Sequence, residues 1–150
     1  MGNVHTYHVV AWWTSGETGL AKSDSAPNAI HFTAPPQSGG LQGRWTPEDL
    51  LLTALAACFT TTFHSLTSYS SFEYTDLQVE VDGAVSKMDN GYVFSEIIIR
   101  PNLTIKDEQS REVAISLLQK AARVCLVSRA LTTAPKLEIG VEIRKQSLAR

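Results

Sequence analysis

Residues 46–59 read Thr-Pro-Glu-Asp-Leu-Leu-Leu-Thr-Ala-Leu-Ala-Ala-Cys-Phe, and this stretch specifies the start of a long helix. Thr46 is a typical capping residue, and Pro47 suits the first helical position, where its missing N–H costs nothing. Two acids follow in the first turn, where the helix is electropositive. From Leu50 onward the side chains are apolar or small on every side, which predicts a central helix covered by protein over most of its circumference.

The middle of this helix carries a cysteine, Cys58. Helical spacing places it on a face with small or apolar neighbours, namely Leu51, Ala54, Leu55, Thr61 and Thr62. A second cysteine, Cys125, ends a later predicted helix in line with Ala114, Leu118, Ala121 and Ala122. Both thiols are therefore expected to point inward. Free cysteines are often simply buried hydrophobic residues, so periodicity alone leaves their role open.

Upstream of the first helix the sequence favours strands. Tyr7 to Trp13 is rich in aromatic and β-branched residues and predicts a strand, followed by a turn at Ser15-Gly16. A short second strand is expected from Leu20 onward. The composition of residues 34–43, with prolines and glycines, predicts a loop.

Downstream, two strands and a helix are predicted. Phe72 to Val85 and Tyr92 to Leu103 read as a hairpin, because Asn90-Gly91 supplies the positive φ values of a type I′ turn. Asp107 to Cys125 has helical spacing.

The C-terminal part is expected to hold a brief helix and a closing strand. Ser128 is a possible cap for a helix over Arg129 to Thr132, and Lys136 to Lys145 alternates as a strand. The order of elements predicts an α+β fold with antiparallel sheet, organised as one domain over residues 1–150.

Composition excludes several classes of function. With 150 residues, 43% of them hydrophobic, the chain can bury a core, and a net charge of -2 offers no basic surface for nucleic acid. We expect no membrane span, because no run approaches about 18 apolar residues. The first residues lack a secretory signal, which favours the cytoplasm. No histidine lies at a short metal-binding spacing to a cysteine, so no metal is expected.

Residues 46–59 resemble the signature of the OsmC/Ohr family, the osmotically inducible and organic hydroperoxide resistance proteins. A second landmark of that family, a cysteine followed closely by Val-Ser after a later helix, corresponds to Cys125-Leu126-Val127-Ser128. The predicted elements also follow the family order, so the resemblance covers essentially the whole chain.

The resemblance implies an intertwined homodimer, with two long central helices wrapped by antiparallel sheets and two active sites at the subunit interface. It implies that Cys58 is a peroxidatic thiol that reduces organic hydroperoxides to alcohols, and that Cys125 resolves the sulfenic acid as a disulfide. A dithiol or a lipoyl group on a protein would restore the thiols. Neither a metal nor an organic cofactor is implied.

Peroxide cleavage needs a thiolate, so the pKa of the attacking cysteine must fall. In the family an N-terminal arginine, bonded to the glutamate that matches Glu48, provides the cation. No arginine precedes Arg44 in this chain, which makes Arg44 the first candidate for that role and His31 the second. Glu48 lies ten residues before Cys58, about 15 Å along a helix. It therefore meets a partner chain's cysteine, positions the cation, or acts only through helix-terminus electrostatics.

Leu126 stands where the family commonly has proline, which leaves the reach of Cys125 open. An apolar pocket at Cys58 would favour bulky alkyl or lipid hydroperoxides, since each buried methylene contributes about 0.8 kcal/mol. Two other functions remain open: a redox-sensing or binding module oxidised stoichiometrically, and a structural dimer with merely packed cysteines.

Overall fold

The computed structural model describes residues 2–14 and 16–145 and has an α+β fold, as predicted. Its residues group into two compact units, Met1–Leu51 and Leu52–Arg150. The organisation of residues 1–150 as a single domain stays a prediction.

The first unit contains a three-stranded antiparallel sheet in the order β1 (Val9–Trp13), β2 (Thr18–Ser23) and β3 (Ala26–Thr33). The first predicted strand is confirmed from Val9 onward, and Ser15 of the predicted turn lies outside the described residues. The sequence predicts one short strand from Leu20, whereas the structure has two. The second contains Pro27, which argues against a strand but is tolerated because β3 lies at the sheet edge.

Helix α1 (Pro47–Ser70) begins where the sequence predicts. The Thr46 hydroxyl accepts a hydrogen bond from the Asp49 N–H at 3.1 Å, and the Asp49 carboxylate accepts bonds from the Thr46 N–H at 3.0 Å and its hydroxyl at 2.8 Å. This reciprocal arrangement satisfies N–H groups that a helix start otherwise leaves unpaired.

Only one stripe of α1 is buried: Leu55, Phe59, Phe63 and Thr67. The sequence predicted that protein covers most of the helix circumference, but the single chain does not provide that cover. The expectation that no segment is long and apolar enough to span a membrane is also wrong: α1 qualifies by length and composition, with a mean hydropathy of 1.4. Threonine and serine interrupt its apolar run but lower the hydropathy little. A core helix of a globular protein meets the same criterion.

The second unit contains the predicted hairpin, formed by β4 (Asp76–Met88) and the antiparallel β5 (Gly91–Ile105). The predicted turn type is wrong. Met88 pairs with Gly91, so the turn residues are Asp89 and Asn90, and neither has the positive φ that a type I′ turn requires. The positive φ of 119° falls on Gly91, directly after the turn.

Two short strands, β6 (Lys136–Leu137) and β7 (Gly140–Ile143), complete this sheet, and both run parallel to β5. The prediction of one closing strand over Lys136 to Lys145 in an antiparallel sheet is therefore wrong in continuity and direction. The gap between β6 and β7 lies beside Arg100 and Pro101 of β5, and proline has no N–H to donate to a neighbouring strand.

Helices α2 (Arg111–Val124) and α3 (Leu126–Ala130) follow the hairpin. The prediction of α2 is confirmed, whereas α3 begins at Leu126 rather than at Arg129. Side chains from α1, β5 and α2 form the core of the second unit: Leu55, Phe59, Phe63, Ile97, Ile99, Leu103, Ile105, Ala114, Leu118, Ala121 and Cys125.

Candidate active site

The two cysteines of the chain meet inside the second unit. Cys58 lies on α1, half-buried against the core, and Cys125 lies fully buried between α2 and α3. Both are free thiols, and each influences the pKa of the other. The predicted inward direction is confirmed for Cys125, which shares its buried face with Ala114, Leu118 and Ala121.

The surroundings of Cys58 make its thiol more acidic. Burial raises its pKa, because a thiolate loses hydration there. Hydrogen bonds outweigh that effect: the Val127 N–H, the Cys125 thiol, the Thr62 hydroxyl and the Leu126 N–H all favour the thiolate, so the pKa lies below that of an ordinary cysteine. The Thr62 oxygen lies 4.0 Å from the Cys58 sulfur.

Cys125 has the opposite tendency. Burial raises its pKa, and the Cys58 thiol raises it further by hydrogen bonding and by electrostatic repulsion between two thiolates. The N–H groups of Ser128 and Val127 lower the pKa only in part, so it stays above the ordinary value. The pair therefore holds its first negative charge on Cys58 and its proton on Cys125.

The backbone at Cys125 separates the two helices that flank it. Cys125 is extended, with φ -61° and ψ 118°, which ends α2 and lets α3 start at the next residue. Sequence reasoning missed the effect of the Leu126 and Val127 N–H groups on the Cys58 pKa, because it placed the third helix over Arg129 to Thr132 with Ser128 as its cap. Their contribution comes from the backbone, which leaves no signature in side-chain identity.

Glu48 lies in the first turn of α1 and is half-buried. Its carboxylate oxygen Oε2 is buried without a hydrogen-bond partner among the described residues. Asp49 performs the capping, so Glu48 is not needed for that purpose. A buried carboxylate oxygen without a partner is costly, which is consistent with the predicted role of holding a cation.

Arg44 and His31, the two candidates for that cation, are brought close together in the first unit. Trp45 forms a parallel bridge with Phe32, and the Thr33 N–H donates to the Trp45 carbonyl at 2.9 Å. Arg44 and His31 each immediately precede one member of the bridged pair, and both are exposed. Their action on Cys58 stays a prediction.

No metal centre is evident in residues 2–14 and 16–145, where no group of three or more histidine, cysteine or acidic side chains is placed to hold an ion. The two sulfurs of the site differ in acidity.

Comparison with known families places the two cysteines within a family match. A sequence profile described as OsmC-like protein matches residues 39–140, which include both cysteines and Glu48. The match also includes Arg44 but not His31.

Two curated relatives resemble the chain over nearly its full length. The uncharacterized protein YmaD of Bacillus subtilis is 25% identical over 93% of this chain and 95% of its own. An uncharacterized protein of Acinetobacter baylyi is 28% identical over 93% of both chains.

Solved structures share the fold. An organic hydroperoxide resistance protein of Elizabethkingia anophelis superposes with a TM-score of 0.76 at 23% identity, covering 96% of this chain and 100% of its own. An OsmC-like protein of unknown function from Vibrio cholerae gives 0.80 at 14% identity over 91% and 99%. The protein OhrB of Bacillus subtilis, named for organic hydroperoxide resistance, gives 0.66 at 22% identity over 92% and 98%.

Proposed function

Because the chain belongs to the OsmC-like protein family, we propose that it is a cysteine-based peroxidase that reduces organic hydroperoxides to alcohols. The observation that carries the proposal is the opposite shift of two interacting thiols, with the pKa of Cys58 lowered and the pKa of Cys125 raised. A peroxidase needs one sulfur ionised and its neighbour protonated at the start of the cycle.

In the first step the Cys58 thiolate attacks the outer oxygen of the hydroperoxide. The O–O bond breaks, the sulfur takes up that oxygen as a sulfenic acid, and the alkoxide gains a proton and leaves as the alcohol. The sulfur is oxidised by two electrons and the peroxide is reduced by two. The low pKa of Cys58 supports this assignment, because the thiolate is the reactive form.

In the second step the Cys125 sulfur attacks the sulfenic sulfur of Cys58. A disulfide forms, and the oxygen leaves as water. The influence of each thiol on the pKa of the other supports this step, because such an influence requires the two side chains to be near each other. A dithiol, such as a lipoyl group on a protein, then reduces the disulfide by exchange.

The active form in this proposal is an intertwined homodimer. The support comes from α1, which has a mean hydropathy of 1.4 over a window that is only 22% buried. Its exposed face carries small residues, including Ala54 and Ala57, which permit a second helix to approach closely. A second copy would complete the cover that the sequence predicts for this helix, and would bring Glu48 of one chain toward Cys58 of the other.

The remaining expectations belong to the same proposal. The protein acts in the cytoplasm as one domain over residues 1–150, without nucleic acid, membrane or cofactor. Glu48 orients the cation, supplied by Arg44 or, second, by His31. Apolar walls beside Cys58 favour alkyl or lipid hydroperoxides.

The test is repeated turnover of cumene hydroperoxide with excess dihydrolipoamide, followed as loss of hydroperoxide. The wild-type protein is expected to consume many equivalents, Cys58→Ser none, and Cys125→Ser a single equivalent before it stalls. Hydrogen peroxide serves as the matched small oxidant and is expected to react more slowly. Consumption of only one equivalent by the wild-type protein would instead indicate a stoichiometric sensor.

A further inference from the structure

Hydroxyl side chains follow Cys58 along the second half of α1. In the described span from residue 60 to residue 70, six serine and threonine hydroxyls donate to backbone carbonyls of the preceding turn, namely those of Thr60, Thr61, Ser65, Thr67, Ser68 and Ser70. Such back-bonding is a common arrangement for a hydroxyl inside a helix. Thr62 differs from these residues, because the partner of its hydroxyl is the Cys58 sulfur, at 4.0 Å.

The bonds of the Cys58 carbonyl leave the Thr62 hydroxyl to the sulfur. A carbonyl oxygen has two lone pairs. Helical bonding within α1 uses one of them for the Thr62 N–H, and the Thr61 hydroxyl donates to the same oxygen at 3.1 Å. The carbonyl that lies four residues before Thr62 is therefore already filled, and the Thr62 hydroxyl keeps its proton available for the sulfur.

The contact between Thr62 and Cys58 lies at a partly desolvated place. Both residues are half-buried, and Cys58 packs against the core of the second unit. A hydrogen bond to an ionised acceptor is stronger than one between neutral groups, and a low local dielectric strengthens it further. The Thr62 hydroxyl can rotate, so it can accept from a Cys58 thiol and donate to a Cys58 thiolate. Donation favours the thiolate and agrees with the lowered pKa of Cys58.

We propose that the Thr62 hydroxyl donates a hydrogen bond to the Cys58 thiolate and is thereby a catalytic residue of this site. Its catalytic meaning rests on the proposed peroxidase function, whereas the bond itself needs no substrate. Thr62 keeps its own proton throughout, so it stabilises the attacking sulfur and does not protonate the departing alkoxide. The stabilisation comes from the helix that carries Cys58, in a chain that has no arginine before Arg44.

Thr62→Val tests the proposal, because valine keeps the branched shape of threonine and lacks the hydroxyl. Thr62→Ser is the conservative variant, since it keeps an O–H at the same position. Thr60→Val is the matched control: it removes a nearby hydroxyl that bonds to the Ala56 carbonyl instead of the sulfur. The measurement is the rate of Cys58 alkylation by iodoacetamide over a series of pH values, read by mass spectrometry.

In Thr62→Val the inflection of the Cys58 rate is expected at higher pH, and the rate below the inflection is expected to fall roughly two- to tenfold. The limiting rate at high pH is not expected to fall, because Cys58 is then fully ionised and a thiolate of higher pKa is the stronger nucleophile. A merely structural role of Thr62 would lower this limit and leave the inflection in place. Thr62→Ser and Thr60→Val are expected to match the wild type.

Three results would overturn the proposal. The first is an unchanged inflection in a folded Thr62→Val protein. The second is an equal shift in Thr60→Val, which would assign the effect to the loss of any hydroxyl from this part of α1. The third is a shift in Thr62→Ser as large as that in Thr62→Val.

A second measurement uses the wild-type chain and so does not depend on how Thr62→Val folds. In NMR spectra of protein labelled with ¹³C-threonine, the Thr62 Cβ signal is expected to shift as Cys58 titrates, and to lose that transition in Cys58→Ala. The Thr60 signal is the internal control and is expected to stay nearly constant. A Thr62 signal that does not follow the Cys58 titration would contradict the proposal. Neither measurement uses hydroperoxide, so absence of turnover alone would overturn the proposed function and leave this hydrogen bond in place.

Discussion

The Cys58 and Cys125 thiols interact, and this interaction moves their pKa values in opposite directions, down for Cys58 and up for Cys125. The difference gives two chemically identical side chains distinct parts in one reaction. In the proposed mechanism the sulfur that ionises first attacks the hydroperoxide. The sulfur that keeps its proton reacts in the second step.

Alkylation by iodoacetamide at a series of pH values is expected to separate the two cysteines. A thiolate fraction rises as the pH rises through the pKa, so the Cys58 inflection is expected below that of a free cysteine and the Cys125 inflection above it. The position of the inflection is the decisive quantity, because burial of Cys125 slows its alkylation at every pH. An inflection of Cys125 below that of Cys58 would reverse the assignment.

The reciprocal bonds between Thr46 and Asp49 are expected to stabilise the start of α1. Thr46→Ala removes a cap and is expected to lower the free energy of unfolding by about 1 kcal/mol in urea denaturation at fixed protein concentration. Thr60→Ala is the control, because Thr60 is exposed and its hydroxyl bonds only to the Ala56 carbonyl of the preceding turn. Equal losses in the two variants would show that the cap contributes nothing specific.

The homodimer is expected to depend on the exposed face of α1. Light scattering after size-exclusion chromatography is expected to give twice the chain mass of 16.4 kDa for the wild type. Ala57→Glu places a charge where a second helix would pack and is expected to give monomer or misfolded protein. Gln119→Glu, on the exposed face of α2, is expected to remain dimeric. A monomeric wild-type protein would contradict the proposed homodimer.

Arg44 is expected to assist the first chemical step. Arg44→Ala is expected to lower kcat/KM for cumene hydroperoxide by about tenfold or more, the loss of roughly 1.4 kcal/mol of transition-state stabilisation. His31→Ala is expected to have the smaller effect. Lys22→Ala is the control, since Lys22 is the other early cation and lies 5.9 Å from the centre of the Trp12 ring. If Arg44→Ala has the same kcat/KM as Lys22→Ala while His31→Ala lowers it, then His31 rather than Arg44 supplies the cation.

Side-chain patterns predicted the main helix and the hairpin. The start of α1 could be predicted from the sequence, because it is fixed by local hydrogen bonding and backbone preference at Thr46, Pro47 and Asp49. Strand β3 was missed because Pro27 argues against a strand in the sequence, although a proline is tolerated in a strand at the sheet edge.

Long-range relationships were harder to predict. The parallel direction of β6 and β7 depends on how the chain returns after α3, which no local pattern records. The donors to Cys58 were missed for a similar reason: they belong to the backbone at Leu126 and Val127, and any residue but proline supplies them. Resemblance identified the two cysteines, whereas the opposite shifts of their pKa values emerged only from the structure.

In the proposed mechanism Cys58 is oxidised first, and the Cys125 sulfur then attacks the Cys58 sulfenic acid. The most direct measurement is mass spectrometry of the reduced protein after one equivalent of cumene hydroperoxide, with dimedone present to label sulfenic acid. We expect an intrachain disulfide between Cys58 and Cys125 in the wild type, and a dimedone adduct on Cys58 in Cys125→Ser. Two unmodified thiols in the wild type, or an adduct on Cys125 in Cys58→Ser at the same rate, would contradict it.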